Sequence, residues 1–419
     1  MTTLSTNPTP QPLPPAPAQA AGKPRRTWMQ NVIRDVLSHI GARVGAVWIS
    51  IVAFLAVFGP VLASSHPFYL KTTDGQVTSP WFEHLTPTDV TLFIMLPVAV
   101  VLAFLKRLEM GVRFGLFLGI FLITLIITSI TVSVPQTIDY AKYREMAVKK
   151  QIDSAWLAPL PYSPSDRLRD QPEARLKPPP ESGHPLGTEN NGSDVFSIII
   201  HASRIALTIG FISTGIAIAI GVVIGGLMGY FARGFDLFGM RLVEIFEAIP
   251  QLYLLLTFAA FFPGNPEIFG VKIPRIYLMM VIIGLTGWTG YARFVRAEFL
   301  KLRKQDFVQA AIACGLPLRS ILFKHMLPNG VAPVLVGASF GVASAILTES
   351  FLSFLGLGLI DEPSWGGLLN QSVSETGRFT WWIATFPGLA IFLTVFSYNL
   401  IGESLRDAID PHTQRLNRG

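Results

Sequence analysis

Apolar residues fill seven long runs, at 44–63, 114–134, 205–229, 242–262, 276–292, 331–356 and 380–401, and an eighth, shorter run at 91–105 that contains Pro97. A helix needs about 20 mostly apolar residues to cross the hydrocarbon of a bilayer, so each long run predicts a transmembrane helix. Charge decides the short one. If 91–105 also spans, the basic loop with Lys106, Arg107 and Arg113 falls on the same side as Arg25, Arg26, Arg34 and Arg43, which is where the positive-inside rule places Lys and Arg. The same count puts Arg233, Arg241, Arg293, Arg296, Lys301, Arg319, Lys324 and Arg406 inside, and Asp74, Glu83, Asp361, Glu362 and Glu375 outside. The pattern therefore predicts an all-α polytopic membrane protein of about eight transmembrane helices with both termini cytoplasmic.

The polar stretches divide the chain further. Residues 1–43 begin with a Pro-, Ala- and Thr-rich tail that has too few large apolar residues to bury a core and is expected to be disordered. The basic residues after it lead into no apolar stretch of the kind a signal peptide carries. Residues 44–134 read as an N-terminal transmembrane region, 135–203 as an extracytoplasmic segment, 204–411 as the main helical body and 412–419 as a cytoplasmic tail. The Pro-rich part of the second segment either contacts an extracytoplasmic partner or links two spans.

Composition narrows the class. Only 14% of the 419 residues are charged and mean hydropathy is +0.47, whereas about a quarter of the residues in soluble proteins are charged. A net charge of +6 belongs to cytoplasmic loops in such a chain, not to a nucleic-acid surface. The single cysteine, Cys314, excludes an intramolecular disulfide framework and a multi-cysteine zinc site.

Catalytic motifs are mostly missing. No G-x-x-x-x-G-K-[ST] phosphate loop occurs, since Gly22-Lys23 runs into Pro24, so ATP is not bound by that device. There is no H-E-x-x-H, and the seven histidines are scattered without metal-ligand spacing. Neither a catalytic residue nor a metal site is expected. Gly337-Ala338-Ser339-Phe340-Gly341 matches G-x-S-x-G, but that elbow needs a strand-to-helix turn and here it lies inside an apolar run. Small residues for close helix packing are the better reading, as they are for Gly221, Gly225 and Gly229. Ionisable residues at membrane depth are functional candidates: Glu244 and Glu247 near a helix start, and Glu349 deeper in a span. Glu349 either lines or gates a polar pathway or makes a structural hydrogen bond. Pro250, in the same run as Glu247, should kink its helix.

One cytoplasmic segment stands apart, FVQAAIACGLPLRSILFKHMLPN at 307–329. Phe307, Val308, Ala311 and Cys314 recur at helical spacing, Gly315 suits a helix C-terminus and Pro317 the first turn of a second helix. That second helix would put Leu318, Ile321, Leu322 and Met326 on one side, and Leu327-Pro328-Asn329 would end it. The result is a compact knob in which Ala310 and Ala311 allow another backbone to approach, either a docking site or a helix lying on lipid headgroups.

These residues carry a resemblance. Gln309-Ala310-Ala311, Gly315, Ile321 and Leu327-Pro328 resemble the EAA loop of binding-protein-dependent ABC importer permeases. HPLGTENNGSDVFSIIIHASRIALTIG, ESFLSFLGLGL, PSWG and ESLRDAIDP are similar to blocks of the dipeptide and oligopeptide permeases of the C type. VRAEFLKLRKQDF, KHMLPN and HPFYLKTTDGQVTSPWF resemble most the Yej-type branch, associated with uptake of peptides and microcin C. The resemblance covers roughly 44–411. Gln309 replaces the usual Glu of the loop, Gly192-Ser193-Asp194 replaces Gly-Arg-Asp, and Glu189 replaces the usual Asp.

The resemblance implies a type I ABC importer (MetI-like) permease core with two extra N-terminal spans, 91–105 and 114–134, in the bacterial inner membrane. It implies a non-catalytic subunit that passes peptides or peptide-like solutes and couples to ATPase subunits through Phe307, Gln309, Ala310, Ala311, Gly315, Ile321, Leu327 and Pro328. Expected partners are a second homologous permease, two ATPase subunits that bind ATP and Mg²⁺, an extracytoplasmic solute-binding protein, the peptide and the bilayer. No cofactor is expected on this chain. Glu349, Pro250 and Glu247 are the candidates for the path or its gate. The alternatives are an ion-coupled secondary transporter built around Glu349 and a membrane-embedded hydrolase using Ser339.

Overall fold

The computed structural model describes residues 28–105, 108, 110–133, 135, 138–180, 183–262, 264–268, 271–359, 362–374 and 379–409. The tail 1–27, Lys106, Arg107, Asp361, Glu375 and the tail beyond 409, all used in the charge argument or the domain division, lie outside these residues. The helices of eight residues or more are α1 (Trp28–Ser38), α2 (Ile40–Leu62), α3 (Pro87–Phe104), α4 (Met110–Thr131), α5 (Val195–Phe231), α6 (Arg233–Ala248) and α7 (Gln251–Phe261). They continue with α8 (Arg275–Leu302), α9 (Asp306–Ala313), α10 (Ala332–Phe354), α11 (Trp365–Ser374) and α12 (Trp381–Ile409).

Among the described residues seven helices are long and apolar enough to cross a membrane, and α6 with α7 adds an eighth crossing if the bent pair is one span. The run 242–262, expected as a single helix, is in fact broken: α6 and α7 meet at 68°. Pro250 sits at the break as the N-cap of α7, where its missing N–H and fixed φ end one helix and start another. The short run 91–105 extends back to Pro87, with 18 residues in the helix. Its start is set by a capping box, in which Thr86 and Asp89 exchange side-chain-to-backbone hydrogen bonds and satisfy two otherwise orphaned donors. At 37 residues, α5 is about 55 Å long, nearly twice the hydrocarbon thickness of about 30 Å, more than one crossing needs.

α5 is the central post. It crosses α8 backbone to backbone along the row Gly221, Gly225 and Gly229: a methyl group on any of them would collide with Tyr291, Ala292 or Arg296 and Phe299. The opposite sides of α5 pack on α2 and α10, and α12 closes the bundle against α2, α10 and α11. α3 and α4 pair with each other, and most of their surface faces outward.

All-helical across the membrane, the chain also holds a small sheet on the face away from the knob, called here the far face. β1 (Tyr69–Thr72) pairs antiparallel with β2 (Val77–Thr78) and with β3 (Ile152–Trp156). Thus HPFYLKTTDGQVTSPWF and the segment after α4, read separately in the sequence, form one far-face layer.

Candidate functional site

The knob begins where α8 ends. The side-chain amide of Gln309 donates to the carbonyl of Arg303 at 2.7 Å, covering the end of α8, and α9 turns Val308 and Ala311 inward. Gly315 has φ +71. Its N–H donates to the Ile312 carbonyl and the Leu316 N–H to that of Ala311, the pairing that closes a helix on a left-handed residue. Pro317 is the N-cap of the next helical turn, one position earlier than expected.

Leu327-Pro328-Asn329 lies in the last turn of the second helix, which ends at Gly330 with Val331 as its C-cap, as expected to within a residue. A π-helical turn, Ile321–Met326, passes into a helical turn, Leu327–Gly330, and then through Val331 at φ −74 and ψ −20 into α10. Pro328 offers no N–H to the Lys324 carbonyl and its ring crowds that group. The widened turn ahead of it keeps the backbone helical.

The inner surface of the knob is part of the protein core. Val308, Ala311, Ile321, Leu322 and Met326 pack in one cluster with Met228, Val243, Val295 and Phe299, so the knob is fastened to the ends of α5, α6 and α8. Its outer surface exposes Phe307, Ile312, Leu316 and Phe323, with Gln309, Ala310, Gly315 and Pro328 also exposed and Leu327 half-buried. The alanine pair therefore splits: Ala310 faces out, whereas Ala311 is buried against the chain's own core and cannot admit a second backbone. Phe307 and Cys314, which recur at helical spacing with Val308 and Ala311, lie outside.

The three path candidates do not meet. Glu247 pairs with Arg293 at 2.5 Å on the knob side, and Pro250 marks the bend. Glu349 is 2% exposed and accepts from the Ser353 and Ser364 hydroxyls at 2.7 and 2.8 Å. It is sealed among serines. No group of three His, Cys, Asp or Glu side chains among the described residues is placed to hold a metal ion. Ser339 lies within α10, where Gly402 of α12 approaches it closely, while Tyr291 covers Gly337 and Gly341. The G-x-S-x-G match is thus a helix crossing.

Three polar anchors escape the sequence reading. Arg204 pairs with Asp89 at 2.5 Å and donates to the Ala56 carbonyl at 2.9 Å. Arg275 bridges the carbonyls of Ala259 and Leu357, at 3.1 and 2.8 Å. Ser364 holds Glu349 and also lines a far-face cavity of about 680 Å³ shared with Arg144, Asp166, Asp170 and Glu362. The available signal for the first two was a charge within a residue or two of an apolar run.

A helical bundle with a broken span and a core-anchored knob defines the membrane subunit of a transporter. Residues 221–415 match the model of the binding-protein-dependent transport system inner membrane component. The chain is 36% identical over 258 residues, covering 61% of itself and 78% of the relative, to the oligopeptide transport system permease protein OppC of Haemophilus influenzae. It is 34% identical over 258 residues, covering 61% and 81%, to the dipeptide transport system permease protein DppC of Alkalihalophilus pseudofirmus. To the inner membrane ABC transporter permease protein YejE of Escherichia coli it is 36% identical over 235 residues, covering 56% and 65%. A chain from inward-facing conformations of the MetNI methionine ABC transporter aligns with a TM-score of 0.41 at 18% identity, over 51% of this chain and 98% of that one. The chain belongs to the family of inner-membrane permeases of binding-protein-dependent ABC importers, in its peptide group, and is a multi-pass membrane protein.

Proposed function

We propose that this chain forms half of the translocation path of an ABC importer for peptides or peptide-like solutes. A second homologous permease supplies the other half, two ATPase subunits dock on the knob, and an extracytoplasmic binding protein delivers the solute at the far face. ATP and Mg²⁺ belong to the ATPase subunits, and this chain moves the solute without covalent chemistry. Both termini lie in the cytoplasm with the knob. The observation that carries the reading is the knob itself, an apolar outer surface built on a seam that is continuous with the core and runs directly into α10. A push on the knob is thereby delivered to a span whose other end holds Glu349 and, through Ser364, borders the far-face cavity. That cavity is where the delivered solute or its binding protein meets the chain.

The test is Gly315→Trp in the assembled importer. No atom lies within 4 Å of the position a Cβ would take at Gly315, although its φ of +71 strains any side chain there, so Gly315→Ala, which carries the strain without the bulk, is the control for the indole. ATP hydrolysis should persist while uptake is lost. Normal substrate-stimulated uptake would sink the docking assignment. Ala310→Asp, on the exposed side of α9, should release the ATPase subunit on gentle purification without loss of membrane insertion.

A further inference from the structure

At the knob-face end of the bundle, α1 and α2 meet at His39 and leave a groove of about 550 Å³ open to the side of the protein. Leu37, Ala46, Val47, Ile51 and Phe54 line it, with Arg43 at its head. The positions from Arg43 to Phe54 share one face of α2 at steps of three and four residues. Eleven residues of helix rise about 16 Å, the depth of one leaflet of a hydrocarbon core about 30 Å thick. The groove thus has a cation at headgroup level and an apolar wall one acyl leaflet deep. Ser50, also in the lining, gives its hydroxyl to the Ala46 carbonyl and adds no free donor.

The cation is held at the junction. One Arg43 nitrogen donates to the Ser38 carbonyl at 3.1 Å, and among the described residues no carboxylate pairs with Arg43. Arg34 lies one turn before Leu37 on the same side of α1, and it too has no carboxylate partner among them. Asp35, two positions before Leu37, points elsewhere around that helix.

We propose that this groove seats one anionic phospholipid, its acyl chain along Val47, Ile51 and Phe54 and its phosphate on Arg43, with Arg34 as a second cation. A zwitterionic lipid such as phosphatidylethanolamine fills the same wall and brings a phosphate, but its own ammonium offsets that charge, so it offers the two guanidinium groups no net counter-charge. The seat does not rest on the transport reading, which fixes only the leaflet.

Full-length protein purified in a mild non-ionic detergent is titrated with phosphatidylglycerol or phosphatidylethanolamine, and bound lipid is counted by native mass spectrometry. The wild type should take up one phosphatidylglycerol that Arg43→Gln binds about fivefold more weakly, as the loss of one headgroup cation predicts. Arg34→Gln/Arg43→Gln should bind it about 25-fold more weakly, with phosphatidylethanolamine uptake changing far less across the three. Val47→Trp, which fills the groove and leaves both arginines, should remove the same lipid. Equal phosphatidylglycerol uptake by wild type and the double variant would overturn the proposal. So would retention by Val47→Trp, or loss of the lipid in the intact importer, which would make the groove a protein interface.

Discussion

The hydroxyl of Ser364 donates to a carboxylate oxygen of Glu349 at 2.8 Å, and Ser353 donates to the same oxygen at 2.7 Å. The carboxylate joins the loop before α11 to the far end of α10, and all three side chains are buried. Glu349→Ala removes the acceptor of three buried hydroxyls, those of Ser353, Ser364 and, at 3.4 Å, Ser350, and opens a void. Each unsatisfied group costs about 1–3 kcal/mol, so this variant should melt lowest in detergent, Ser364→Ala higher and Glu349→Gln, which retains an acceptor, highest of the three. Identical melting of wild type and Glu349→Ala would show that the cluster holds nothing together.

Asp89 draws three helices into one junction. One of its oxygens takes Arg204 of α5 at 2.5 Å and the other the Thr86 backbone at 2.8 Å, while Arg204 also reaches Ala56 of α2. Removing one partner of a largely buried pair costs about 3–5 kcal/mol because the other charge is stranded, whereas replacing both by apolar groups is often near neutral. Asp89→Leu should therefore destabilise strongly and Asp89→Leu/Arg204→Leu should recover most of the loss in a double-mutant cycle of thermal unfolding. Additive losses would mean that the two residues act independently.

The contact between α5 and α8 makes a sharper distinction between glycines of one helix. A Cβ at Gly225 would press on the backbone of Ala292, whereas nothing lies within 4 Å of one at Gly215. Gly225→Ala should cost about 1–3 kcal/mol by overpacking, and Gly215→Ala should be neutral or gain up to about 1 kcal/mol from helix propensity. Parallel detergent melts of the two variants decide it; equal effects would contradict the crossing.

The far-face layer has an acid-sensitive point in His66. Its ring is buried and stacked on His84 with centroids 3.6 Å apart, and Tyr140 and Tyr143 pack beside it. Burial above all, then the charges of His84 and Lys142, outweigh the opposing pull of Asp166 and lower its pKa from 6.5 to about 4. Between those values the unfolded chain binds a proton that the folded chain refuses, so stability is full above about pH 6.5 and falls as pH drops toward 4. Protection factors of the β1 and β3 amides, with the intrinsic exchange rate at each pH divided out, should fall as pH drops through that window in the wild type and lose part of that dependence in His66→Phe. An unchanged pH profile in the variant would remove His66 as the cause.

The knob shows how far local pattern reaches. The Gly315 turn, the inward set Ile321, Leu322 and Met326, and the break at Pro250 were legible because each depends on neighbours within a turn or two of helix. The inward turn of Ala311 was not, because which side of α9 is covered depends on where α5, α6 and α8 end. Leu327-Pro328-Asn329 was legible as the end of the second helix, which stops at Gly330, whereas the π-helical turn ahead of Pro328 was not.

The sequence by itself determined the class of this protein, its spans and the location of its knob. Backbone groups in hydrocarbon must be satisfied within the segment, so a run of apolar residues has little choice but to be a helix. Tertiary structure alone decided which distant residues meet: Ser364 with Glu349, Asp89 with Arg204, β1 with β3, and Arg43 at the head of its groove. Those pairings are set by the crossing of helices far apart in the chain, where side-chain size and the position of a bend, and not hydropathy, choose the neighbour.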